Sequence, residues 1–118
     1  MLKNERLERS LDVSVLAKEL GDDPEKITKF LGFFQTVAKE ISAEIMTAMR
    51  AQQIDVAIAS AHKLKSSARS VGAIKLGELC AAIEDAGKAG DQALLDTLLE
   101  RFEAEWLEVD KLLSNRLS

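Results

Sequence analysis

With one cysteine in 118 residues, the chain can form no internal disulfide, and a reducing cytoplasmic setting is expected. One histidine and one cysteine cannot furnish a zinc site. One proline, six glycines and no tyrosine leave little material for a turn-rich β architecture. The aromatics are four phenylalanines and one tryptophan, without the basic–aromatic interleaving of a single-strand nucleic-acid binder. Sixteen basic against twenty acidic residues give a net charge of −4, so no nucleic-acid partner is expected. No apolar run approaches the roughly 18 residues of a membrane span. Nor does Met1-Leu2-Lys3-Asn4-Glu5-Arg6 lead into the apolar core of a signal peptide. A Walker-type phosphate loop is missing too, which speaks against ATP binding of that kind and against self-phosphorylation.

What is present is helical patterning. The hydrophobic share of 47% with 31% charged residues is ordinary for a globular domain, and the length suits one core. Residues 1–10 are polar and read as a flexible arm. Leu11, Val15, Leu16 and Leu20 predict a short helix over 12–20, stopped by Gly21. Asp23-Pro24 then supplies an N-cap and a first helical residue. A long helix over 23–50 follows, its stripe formed by Ile27, Phe30, Leu31, Phe34, Val37, Ala38, Ile41, Ile45, Ala48 and Met49. Further helices are expected over 53–71, 73–89 and 92–115, broken by Gly72 and by Gly90-Asp91. Four long amphipathic helices joined by short connections predict an all-α fold. The economical arrangement is an antiparallel up-down-up-down four-helix bundle, with the short extra N-terminal helix capping one end. No repeat or linker divides the chain, and a single domain and a monomer are expected.

The chemistry concentrates in one helix. Ile54, Ala57, Ile58, Ala61, Leu64, Ala68 and Val71 repeat with helical period. Taking Ala61 as the centre of the buried face, Lys65 falls about 40° away, Arg69 about 80°, His62 about 100° and Ser66 about 140°. His62 therefore sits at the boundary of core and solvent. Lys65 and Ser66 are three and four residues beyond it, the spacings at which helical side chains meet, and such side chains lean back toward the N-terminus. An imidazole beside an ammonium and a guanidinium suits an incoming anion and repels a metal ion. A lone histidine on a helix is more often a surface or satisfied core residue, but these neighbours favour a phosphate.

The string Ala61-His62-Lys63-Leu64-Lys65-Ser66-Ser67-Ala68-Arg69-Ser70-Val71-Gly72-Ala73 resembles the signature of histidine-containing phosphotransfer (HPt) domains, A-H-x-L-K-G-S-(S/A)-x-x-(hydrophobic)-G-A. The family pattern continues as L-x-x-x-C-x-x-(L/I)-E, matched by Leu76, Cys80, Ile83 and Glu84. The resemblance spans about residues 30–106. It departs at Ser66, where the family usually has glycine; that side chain could crowd the ring or hydrogen-bond to it or to a phosphate.

The resemblance implies a phosphorelay intermediate and a phosphocarrier, without autokinase activity. His62 would accept a phosphoryl group from the aspartyl phosphate of a hybrid histidine kinase's receiver domain and pass it to a response-regulator aspartate. Nε2 is the expected nucleophile because it projects farther from the backbone. Lys65, Ser66 and Arg69 would steady the phosphoryl oxygens. Phe33, Gln35, Lys63 and Gly72 are assigned to partner docking. Phe33 falls about 100° off its helix's stripe and reads equally as a shielded aromatic, and Lys63 as a solubilising charge. No cofactor of the chain's own is expected; Mg²⁺ would come with the receiver. Cys80 reads as a small core residue, and Glu84 and Asp85 as solvated residues near a helix end. Lys65→Ala is expected to slow transfer with little loss of fold. The competing reading is a receiver-docking module of the same fold that carries no phosphate. A dimerising phosphoacceptor domain of a sensor kinase would instead show two long helices and an ATP-binding domain downstream.

Overall fold

The computed structural model describes residues 10–118, and all its regular structure is helical. The elements are α1 (Ser14–Leu20), α2 (Pro24–Arg50), α3 (Ile54–Ser70), α4 (Ile74–Ala89) and α5 (Gln92–Leu117). Apart from Ser10, the arm expected over 1–10 lies outside the described residues.

Local chemistry sets these boundaries. α1 begins two residues later than its apolar spacing suggests, because Asp12 Oδ1 accepts both the Ser14 N–H, at 3.1 Å, and the Ser14 hydroxyl, at 2.6 Å. Gly21 ends it in the left-handed conformation, φ 70°. Asp23 caps α2 by accepting the Glu25 and Lys26 N–H groups at 3.1 and 3.4 Å, with Pro24 at the first turn, where no donor is needed. Asp91 performs the same service for α5, accepting the Leu94 N–H at 3.1 Å. α3 and α4 start without a side-chain cap, behind Gln53 and Ala73.

The helices close into a ring. α2 packs on α3, α3 on α4, α4 on α5, and α5 returns to α2, while α1 lies against α2. At about 1.5 Å per residue, α5 alone would span roughly 39 Å. The long dimension of the molecule is 43 Å, so the helices run along it as an up-down-up-down bundle. The interior is filled by Leu31, Ile45, Leu64, Leu76, Ile83, Phe102, Val109 and Leu113, all fully buried. Phe30, expected in the α2 stripe, lies at its edge and is 40% exposed.

α3 and α4 approach closely because α4 carries glycine where they touch. A methyl group at Gly87 would come within 2.7 Å of Ile58 Cγ1, and one at Gly77 within 2.8 Å of Arg69 Cγ. At the opposite end from the α2–α3 turn, the α3–α4 turn is tied to the start of the described chain: the Asp12 N–H donates to the Gly72 carbonyl at 2.9 Å. The bundle thereby fixes α3 and α4 side by side, and the histidine sits on their seam.

Candidate functional site

His62 lies in the middle of α3, and its side chain is 69% exposed. Ala61 and Leu64 on either side of it are fully buried, which locks the helix rotation and leaves the ring at the waterline. Its inner nitrogen, Nδ1, is 3.2 Å from Glu84 Oε2 on α4. With the carboxylate as acceptor, Nδ1 is the donor, and in the neutral form of the ring that arrangement leaves the lone pair on Nε2. The site is a ring pinned by one nitrogen and open at the other.

Glu84 corrects the sequence reading, which took it for a solvated residue. It is 5% exposed, and its second oxygen, Oε1, is 2.8 Å from Lys65 Nζ. Burial alone would push this carboxyl upward; the hydrogen bonds and positive charge of Lys65, and then of His62, outweigh burial and hold it below its ordinary value of 4.5. A carboxyl depressed in the folded state stabilises the fold above its unfolded value, and that contribution is lost as pH falls through the folded value. Thermal unfolding followed from neutral pH down to about pH 3 should therefore show a loss of stability beginning below about 4.5 that is smaller in Glu84→Gln. Equal slopes in the two proteins would mean that the pair adds nothing.

Lys65, expected to face the phosphate, is thus engaged with Glu84 at rest, and its side chain is 22% exposed. Lys63 and Ser66 are exposed on either side of the ring's turn. The Ser66 hydroxyl makes no hydrogen bond to His62; Ser66 contributes its carbonyl, which accepts the Ser70 hydroxyl at 3.0 Å. Arg69 lies two turns along, about 10 Å by helical rise, with its stem over Gly77. These residues line one face, but among the hydrogen bonds and ion pairs of the described residues the ring meets Glu84, and Lys65 joins it through that carboxylate.

The docking residues separate in the same way. Phe33 is 72% exposed on α2. Gln35 is part-buried, and its amide donates to Asp110 Oδ1 and to the Ser114 hydroxyl, both at 2.9 Å. It joins α2 to α5. Gly72 is buried beneath Asp12 and offers no surface. The assignment of Gly72 to docking is therefore corrected, because the bundle covers that position, while Gln35 is tied to α5.

Cys80 lies one turn before Glu84 and is fully buried. Burial, reinforced by the Glu84 charge, pushes its thiol up to about 12, so it is a core residue and no nucleophile. Among the described residues no group of three or more histidine, cysteine, aspartate or glutamate side chains is arranged to hold a metal ion. None of their helices is long and apolar enough to cross a membrane.

The site is thus a surface imidazole oriented by a buried carboxylate on a closed helical bundle. Comparison with known proteins gives the family: the Hpt domain model matches residues 29–114, and the chain belongs to the Hpt domain family of phosphorelays. The fold is similar to that of histidine-containing phosphotransfer protein B from Pseudomonas aeruginosa PAO1. That likeness has a TM-score of 0.81 at 23% identity, covering 93% of this chain and 96% of the other. No curated protein matches significantly.

Proposed function

We propose that the protein is a phosphorelay intermediate in which His62 takes a phosphoryl group from a receiver-domain aspartyl phosphate and returns it to another receiver's aspartate. The donor is the receiver of a hybrid histidine kinase and the recipient a response regulator. The observation that carries this reading is the 3.2 Å contact between Nδ1 and Glu84 on a ring that is 69% exposed. It leaves Nε2 as the nucleophile, facing solvent where a partner can present its phosphate. Phosphoryl transfer needs little covalent work from a protein; placement of the nucleophile and neutralisation of charge dominate. The bundle supplies placement. Lys65 supplies a cation within reach, and the receiver brings Mg²⁺. Phe33 and Lys63 offer an apolar and a charged contact for docking, and the protein acts as a cytoplasmic monomer.

The experiment is direct. Incubation with a receiver domain carrying labelled aspartyl phosphate should move the label to this chain as an acid-labile, alkali-stable adduct. Binding without label would leave a docking module in its place.

Lys65→Ala should slow transfer roughly tenfold, the equivalent of about 1.4 kcal/mol. The structure adds a cost that the sequence did not show. Removing Lys65 leaves Glu84 buried with one partner, so a loss of stability on the order of 1–3 kcal/mol is expected in denaturant titrations. Unchanged transfer kinetics would reduce Lys65 to a structural counter-charge.

A further inference from the structure

We infer that Ser66 is a specificity-determining residue: its hydroxyl is covered when a receiver docks, and it favours a receiver that sets an oxygen acceptor over it. This assignment rests on the phosphocarrier reading and adds the choice of partner at the same site. Ser66 lies one turn beyond His62 on the exposed side of α3. Four residues of helix place it about 40° around the axis and about 6 Å along it, and its side chain leans back toward the turn of the ring.

The hydroxyl is free at rest. Ser67 and Ser70 use theirs on α3 itself, donating to the Leu64 and Ser66 carbonyls at 3.1 and 3.0 Å. Thr36 on α2 and Thr97 on α5 do the same toward the Gly32 and Ala93 carbonyls, at 3.2 and 3.3 Å. The Ser66 hydroxyl makes no such bond among the described residues, and in the free protein solvent serves it.

Docking takes that solvent away. A partner that brings an aspartyl phosphate to Nε2 must cover the surface around the ring. Even a transient interface occupies on the order of 500 Å² on each side, a disc about 12 Å in radius. Ser66 falls well inside it, where water is excluded. A hydroxyl stripped of water and given no partner weakens the complex, so the penalty falls on receivers that face it with apolar surface. Its neighbours set which polar group it favours. Lys63 stands three residues before it and Arg69 three after, both exposed, at the spacing by which helical side chains share a surface. Two cations beside the hydroxyl favour a backbone carbonyl or carboxylate oxygen opposite and oppose an ammonium. Ser66 is then the donor, and it adds a polar reading to the contacts that Phe33 and Lys63 offer.

The test offers the wild type and Ser66→Ala to a panel of purified receiver domains, each charged with labelled acetyl phosphate in the presence of Mg²⁺. Transfer to His62 is followed below and at saturating receiver. Alanine suits an exposed helix position, so the variant should unfold at the wild-type denaturant midpoint or slightly above it. The receiver fastest with the wild type should lose roughly tenfold in transfer efficiency through weaker binding, with its saturated rate unchanged. Receivers that are slow with the wild type should change by less than about twofold, which narrows the ratio between partners. An equal loss across the panel would put the hydroxyl on the phosphoryl group itself and overturn the inference. So would an unchanged panel, the result expected if the hydroxyl turns back onto the His62 carbonyl. Either result leaves the carrier reading intact, whereas a wild type that takes label from no receiver overturns both.

Discussion

His62→Gln should fold as the wild type does and accept no phosphoryl group. The ring is 69% exposed, so its replacement costs little packing, and a stability change within about 1 kcal/mol is expected. Glu84 keeps its Lys65 partner in the variant, which spares the buried carboxylate from isolation. Label from a phosphorylated receiver should fall to background, because glutamine has no nitrogen lone pair available to attack phosphorus. Binding to the receiver should persist, since the docking surface is unchanged. Label that survives this substitution would place the acceptor elsewhere and leave the Glu84–His62 contact without a role in transfer.

Gly72→Ala should be among the most destabilising single substitutions of a small residue in this protein. Two effects coincide there. The backbone has φ 88°, a conformation that costs an L side chain roughly 1–2 kcal/mol. In addition, an added Cβ would fall 1.8 Å from the Asp12 carbonyl oxygen, a backbone atom that cannot swing aside. Relief requires the Asp12 segment to lift, which breaks the 2.9 Å bond between the Asp12 N–H and the Gly72 carbonyl. Gly90 is the control: its φ is 68°, but the space beside it is open. Denaturant unfolding should therefore show Gly90→Ala losing about 1–2 kcal/mol and Gly72→Ala losing more, roughly 3 kcal/mol. Equal losses would mean that α1 is only loosely held against the α3–α4 turn.

The comparison of these two glycines also shows what a single sequence reveals. Gly72 and Gly90 both announce the end of a helix, and both do end one. That the first also receives Asp12, sixty positions earlier in the chain, is a tertiary fact that no local pattern carries. The same holds for Gln35, assigned to docking from the sequence, whose bonds to Asp110 and Ser114 arise only from the return of α5 onto α2.

Glu84 is a different kind of miss. Its burial was legible in the phase of α4, for it lies four residues after Cys80 and eight after Leu76, on the stripe those residues bury. Charge suggested solvent and periodicity suggested the core. Periodicity was right, because Lys65 and His62 on the neighbouring helix supply the partners that a buried carboxylate needs. His62 itself was legible from its position at the edge of the α3 stripe and from the string around it. Only the structure shows which nitrogen faces inward.

That orientation is open to one decisive measurement. Phosphorylated wild-type protein with ¹⁵N-labelled histidine can be examined by phosphorus–nitrogen correlation at alkaline pH, where the adduct survives. Phosphorus coupled to Nε2 of His62 is the result expected from a ring anchored through its other nitrogen. Coupling to Nδ1 would contradict that anchoring, and phosphorus bound to no ring nitrogen would contradict the carrier altogether.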